Sequence, residues 1–340
     1  MALSPALAYA AEPAKADADN KEAAKTLAPV KVIGTQGERV QGYKAETTRL
    51  GRMKQELKDV PQAVSVVTHD LMAEQGAANL KDVLKNVSGI TFAAGEGGRS
   101  GDQVILRGFA AFNDMYRDGQ RDVAQYNRDP FNDEKIEVLK GASSMLFGRG
   151  STGGVINQVS KAPFAGELLG ADLTIGTNHY QRITLDVNKP YSDTTAVRLN
   201  VMGTDDGSPN GKSKSKRWGV APSVAFGLGE PTTLVLSHHH LTEKNRPDLG
   251  VPYDPNTLKP LDVPVSRYYG VDGLNMEDIT TDITTARLTH KLDSQNELNA
   301  QLRHGRYDRM VLVTAPRLVG VSAGVTVTDK TQIAPGAKLC

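Results

Sequence analysis

The sequence predicts two architectures in series: an α+β domain over residues 43–163, then antiparallel β-strands over residues 166–340. Two observations predict the first. Short β-prone runs alternate with capped helical segments from residue 60 to 163, and a glycine-rich connection with glycines at 148, 150, 153 and 154 joins the apolar runs Ile136–Leu139 and Val155–Val159. Glycines clustered this way serve a tight turn or a close approach of one backbone to another. A third observation predicts the second part. From Leu169 onward apolar and polar residues alternate, and a period of two puts them on opposite faces of a strand. Alternation alone fits a soluble antiparallel sandwich as well as a membrane barrel.

The chain has 340 residues, enough for two domains or one large β-structure. Its net charge of +1 gives no global pull toward nucleic acid. No apolar run reaches the roughly 18 residues of a transmembrane helix, a test that cannot see barrel strands. The single cysteine, Cys340, cannot form an internal disulfide.

Taken in order, residues 1–11 end in Ala8-Tyr9-Ala10 before Ala11-Glu12, the pattern of a secretory cleavage site without its basic start. Residues 12–29 are mostly Ala, Lys, Asp and Glu and cannot bury a core, so 12–42 reads as a disordered tether. The tether carries a short β-prone run, Pro29, Val30, Lys31, Val32 and Ile33, suited to adding itself as a strand to another protein's sheet edge. Val64–Val67 is a strand. Thr68 caps a short helix that Gly76 stops, and Asn79 caps a second with Asp82 at its third position. Leu80, Val83, Leu84 and Val87 form the second helix's apolar face and are expected to be core. Val104–Phe109 reads as one further strand.

In the second part Leu169, Ala171, Leu173 and Ile175 alternate with Gly170, Asp172 and Thr174, and similar runs follow to Arg303. Short connections, Asn188–Asp193 and Leu228–Thr232, alternate with long ones, Asp205–Lys216 and Lys244–Asp278. The count is about seven strands before Asp308. Pro222 fits its strand awkwardly, because proline removes a ladder donor.

No catalytic set assembles. The glycine-rich connection is not a phosphate cradle: no Gly-Lys-Ser/Thr closes it, and a strand follows it. Of His238, His239 and His240 only the first and third share a face, and no acid or cysteine nearby in sequence completes a metal site, so none is expected. Asp118, Asp122, Asp129 and Asp133 lack the spacing of a calcium hand.

The stretch Ile136–Lys161, IEVLKGASSMLFGRGSTGGVINQVSK, closely resembles the end of the plug domain of TonB-dependent outer-membrane receptors, with Ala142 where that family usually has proline. Val104-Ile105-Leu106-Arg107-Gly108-Phe109 and the Asp118-Gly119 element extend the resemblance across the domain. It implies a plug followed by transmembrane β-barrel strands in the outer membrane, with plug and tether toward the periplasm. The implied function is binding a ferric siderophore outside the cell, a catecholate being the expected kind, and importing it with energy delivered by TonB. Residues 29–33 then stand where the family has its TonB box. The implied partners are TonB, the ferric siderophore and outer-membrane lipid, with a monomeric receptor, no enzyme activity and no cofactor. A plug that binds without transport, or a receptor for another ligand such as cobalamin, is the alternative.

The family's ligand contacts fall at Arg99 and Tyr126. A ferric tris-catecholate is a compact polyanion with aromatic faces, so Tyr116, Arg117, Arg121 and Arg128 in the same stretch join the candidate set by charge and ring chemistry. The competing reading is a solvated loop whose arginines pair with Asp118, Asp122 and Asp129. The resemblance also implies plug–barrel contacts for Arg107 and Lys140, with barrel glutamates that lie late in the family's sequence and are expected to be absent from this chain. Family barrels close with roughly twenty-two strands, whereas seven leave open edges that lipid does not tolerate. The chain is therefore expected to be a truncated copy unable to transport by itself.

Overall fold

The chain is described from a computed structural model, which covers residues 42–314 apart from 49, 51–54, 94–100, 149–151, 255, 265 and 294–295. Strand β1 (Thr47–Thr48) pairs with β2 (Gln55–Glu56) ahead of β3 (Ala63–Thr68). Helix α1 (His69–Glu74) starts where the Thr68 hydroxyl accepts from the Leu71 N–H, and ends before Gly76, whose φ of +59° is the left-handed stop expected of it. Helix α2 (Leu80–Leu84) is capped by Asn79, and Asp82 reaches back to accept from the Ala78 N–H, so two donors at the helix start are satisfied reciprocally. Leu80, Val83, Leu84 and Val87 are buried, as their spacing predicts.

Strands β4 (Ile90–Phe92), β5 (Val104–Leu106) and β6 (Phe109–Ala110) form a small sheet. The single strand expected over 104–109 is thus a hairpin. Arg107 and Gly108 both have positive φ, 53° and 85°, the pair of values a two-residue turn of the I′ kind needs. Strands β7 (Met115–Arg117), β8 (Gln120–Arg121), β9 (Asp133–Lys140) and β10 (Gly154–Ser160), with helix α3 (Ser144–Phe147) before β10, complete the domain. Its main sheet runs β3-β9-β10-β7-β8. Val155 pairs with Leu139 as the two apolar runs predict. A Cβ on Gly153 would lie 2.1 Å from the Leu106 carbonyl oxygen, which is the close backbone approach that the glycine cluster foretells.

The second part is one antiparallel sheet of β11 (Leu168–Ile175), β12 (Gln181–Ser192), β13 (Thr195–Gly207), β14 (Lys214–Phe226), β15 (Thr232–Arg246), β18 (Met276–Lys291) and β19 (Glu297–Leu312) in that order. A minor hairpin, β16 (Tyr253–Asp254) and β17 (Lys259–Pro260), sits in the connection between β15 and β18. Among the described residues β11 and β19 are open edges. The stretch Asp205–Lys216, expected as a long loop, is strand at both ends, with the loop confined to residues 208–213: Asp205 pairs with Lys216, and pairing continues to Gly207 opposite Lys214. Pro222 is accommodated by a gap in one ladder. It pairs with Leu199 on β13, but β14–β15 pairing passes from Val220–His240 to Ser223–Ser237, so the missing N–H interrupts the β15 side alone.

The sheet is inverted relative to a soluble protein. Leu169, Leu173 and Ile175 are 78%, 69% and 73% exposed, and Ile183, Trp218 and Leu302 share that outward exposure. The opposite face carries Arg182, Arg198, Asn200, Arg217 and Glu243, all buried against the α+β domain. Apolar residues outward and polar residues inward is the alternation of a barrel wall in lipid. All described residues belong to one compact unit.

Candidate functional site between the α+β domain and the sheet

The segment from residue 114 to 135 lies against the inner face of the sheet, and its charges are organised in pairs. Asp129 is the hub. Its carboxylate accepts two hydrogen bonds from Arg182, at 2.8 and 2.7 Å, and meets Arg217 at 3.3 Å. Glu243 accepts from the Asn127 backbone N–H at 3.1 Å and its side-chain amide at 2.9 Å. Arg198 bridges Asp186 and Glu134, while Lys161 pairs with Asp186. Farther along, the Arg303 guanidinium donates to the Arg117 carbonyl and Arg309 to Gln125. Buried charge of this density is sustained only when each group finds a partner. One apolar plug seats in this polar face: the Phe131 ring stacks on His239 at 5.3 Å and fills the space where a Gly219 side chain would stand, 2.8 Å from a Cβ there.

The candidate ligand residues separate by burial. The Arg128 guanidinium donates to Asp102 and Asp122, and to the carbonyls of Asp122 and Ala124, and lies 4.3 Å over the Tyr126 ring. Burial works to lower its pKa, but Asp122, Tyr126 and Asp102 outweigh it and hold Arg128 charged. Tyr126 is buried and donates to Asp122 at 2.6 Å. Burial first, then the Asp122 carboxylate, push its phenol well above the ordinary value, so it remains a hydrogen-bond donor. Arg117 is buried and donates to Asp133 at 3.0 Å. The Tyr116 hydroxyl donates to the Phe147 carbonyl, and Arg121, 30% exposed, pairs with Asp114. The arginines therefore pair with Asp102, Asp114, Asp122 and Asp133, a set that shares only Asp122 with the partners read from the sequence. Arg99 and residues 29–33 lie outside the described residues.

Arg107 and Lys140, whose expected barrel partners lie late in the family's sequence, face local surroundings here. Arg107 occupies the exposed β5–β6 turn, and Lys140 donates to the Ser88 hydroxyl at 2.8 Å. Among the described residues, the cations that bridge the α+β domain and the sheet are Lys161, Arg182, Arg198, Arg217, Arg303 and Arg309. Five of these six belong to the sheet and had no signal in the sequence beyond their inward phase in the alternation. The expectation that no acid lies near the histidines also changes: Asp282, on the neighbouring strand, is the register partner of His240.

Comparison with known proteins agrees with this geometry. Residues 56–155 match the family model of the TonB-dependent Receptor Plug Domain. The catecholate siderophore receptor Fiu of Escherichia coli K12 is 39% identical over 285 residues, covering 79% of this chain and 37% of that protein. The probable TonB-dependent siderophore receptor PiuA of Acinetobacter baumannii is 36% identical over 279 residues. The crystal structure of Fiu from E. coli in its closed form superposes with a TM-score of 0.76 at 35% identity, covering 85% of this chain and 42% of that one.

The chain belongs to the TonB-dependent receptors. Its α+β domain is their plug, and its open seven-stranded sheet is part of their barrel wall. It spans about 37% of the length of the curated relatives it matches. Among the described residues no helix is long and apolar enough to cross a membrane.

Proposed function

We propose that the receptor carrying this sequence binds a ferric catecholate siderophore at the outer surface of the outer membrane and passes it inward, with energy coupled through TonB. The observation that carries the reading is joint similarity to Fiu across plug and wall, on a sheet whose outward face is apolar. Transport by plug movement needs no catalytic residues and no resident cofactor; the iron complex is cargo.

Residues 29–33 suit the coupling role, because an extended apolar run can join another protein's sheet edge through its main chain. Within the candidate ligand set, burial supports dividing the labour. Arg121 keeps part of its side chain at the surface and, with Arg99, is proposed to meet the anionic complex. Tyr116, Arg117, Tyr126 and Arg128 are proposed to hold the segment in shape, since all four are buried and each makes an internal hydrogen bond.

The test is a fluorescence-quenching titration of the detergent-purified receptor with a ferric tris-catecholate, paired with uptake in a receptor-null strain. Saturable binding is expected, with Val32→Pro abolishing uptake while leaving binding intact, because proline removes a ladder donor. Absence of catecholate binding would overturn the ligand assignment; uptake unaffected by Val32→Pro would overturn the coupling segment.

A further inference from the structure

The outward face of the wall carries a polar cluster that the transport reading does not use. On β15 the outward positions climb from Leu234 and Leu236 to His238 and His240. On β18 the register partners of the two histidines are Thr284 and Asp282. The Asp282 Oδ1 atom lies 2.7 Å from His240 Nδ1 and 3.6 Å from His238 Nε2. One potential ligand atom from each of the three residues falls within 4.8 Å of the others.

The remaining ring nitrogens are each held by a threonine. His238 Nδ1 meets the Thr284 hydroxyl at 2.9 Å, and His240 Nε2 meets the Thr242 hydroxyl at 3.0 Å. Ligating histidines typically have the second nitrogen fixed by such a hydrogen bond, which sets the tautomer and ring orientation. The Trp218 ring lies 4.6 Å from the His240 ring and shields one side. The backbone is also specified: His238 stands opposite Pro222, in the gap of the β14–β15 ladder.

We propose that His238, His240 and Asp282 form a divalent transition-metal site on the outward face of the wall, with His238 Nε2, His240 Nδ1 and an Asp282 carboxylate oxygen as ligands. Two imidazoles and a carboxylate are a donor set that suits zinc, copper or nickel. A metal at about 2.1 Å from each ligand atom requires the close His240–Asp282 pair to open slightly and the wider separations to close. The hydrogen between His240 Nδ1 and Asp282 Oδ1 moves to His240 Nε2, where the Thr242 hydroxyl accepts it, so a neutral imidazole ligates with no net proton release. Three protein ligands leave at least one coordination position open to water or to a group from outside. The site is separate from the plug interface, because β15 presents Glu243 inward and His238 and His240 outward.

The experiment uses the full chain in detergent, in a Cys340→Ser background so that no thiol competes, stripped with a chelator and titrated with zinc by calorimetry. Cobalt absorption reports ligand geometry independently. One equivalent of zinc is expected. Asp282→Asn, which keeps the shape, and His238→Asn should each weaken binding at least tenfold. Thr242→Val should weaken it by about 10-fold or more, the usual loss for an outer hydrogen bond. Circular dichroism of each variant verifies the strands. Zinc affinity unchanged in His238→Asn and Asp282→Asn, or no zinc uptake by the folded parent, would overturn the site and leave a hydrogen-bonded polar cluster.

Discussion

Arg182 of the wall holds Asp129 of the plug with both guanidinium Nη atoms, at 2.8 and 2.7 Å, and both groups are buried. The pair joins residues 53 apart in sequence, and Arg217 approaches the same carboxylate. Asp129→Ala is expected to leave two buried guanidinium groups without their anion and to cost about 3–5 kcal/mol. A lowered denaturant midpoint and faster proteolysis of the plug would register it. Asp129→Leu with Arg182→Met and Arg217→Met should recover much of the loss, since apolar replacement of a buried ion pair is often neutral.

At Gly219 even a methyl group is too large. A Cβ there stands 2.8 Å from the Phe131 ring, so Gly219→Ala should force the ring off His239 and destabilise plug docking by about 1–3 kcal/mol. Phe131→Leu frees that space and should make the second change nearly silent. Additive effects of the two substitutions in a double-mutant cycle would show that ring and glycine do not share the space.

His69 gives the plug a pH dependence. Burial, followed by the Lys161 ammonium, lowers its pKa to about 4 from an ordinary 6.5. The folded state therefore binds fewer protons than the unfolded chain between those values, and stability is full above about 6.5 and declines as pH falls toward about 4. The loss approaches about 3 kcal/mol at its limit, from about 1.4 kcal/mol per pKa unit. His69→Gln should flatten the unfolding midpoint over that window; an unchanged slope would assign the acid sensitivity to other groups.

Arg121 and Arg128 should behave differently on substitution. Arg121→Ala is expected to weaken ferric tris-catecholate binding about tenfold, since a hydrogen bond to a charged group is worth about 1.5–3 kcal/mol, and to lower melting less than Arg128→Ala does, because its ion pair with Asp114 is partly exposed. Arg128→Ala should lower the melting temperature, because it leaves buried Asp102 and Asp122 without their cation. The reverse pattern would exchange their roles.

Local order dictated what the sequence determined by itself. The Thr68 and Asn79 caps, the buried stripe of Leu80, Val83, Leu84 and Val87 and the two-residue phase of the wall follow from groups a few residues apart, and the pairing of Ile136–Leu139 with Val155–Val159 from two apolar runs joined by one glycine-rich connection. The dense motif from Ile136 to Lys161 then carried the family. Tertiary structure decided which charges meet. Asp129 finds Arg182 and Arg217, Glu243 finds Asn127 and His240 finds Asp282 across strands and domains, at separations that no spacing rule spans. The same limit governed Arg107. Its place in the motif read as part of one strand, but positive φ at two successive residues folds it into an exposed turn. A side chain's partners depend on where the backbone delivers it, and in an antiparallel wall that delivery depends on register between strands far apart in the chain.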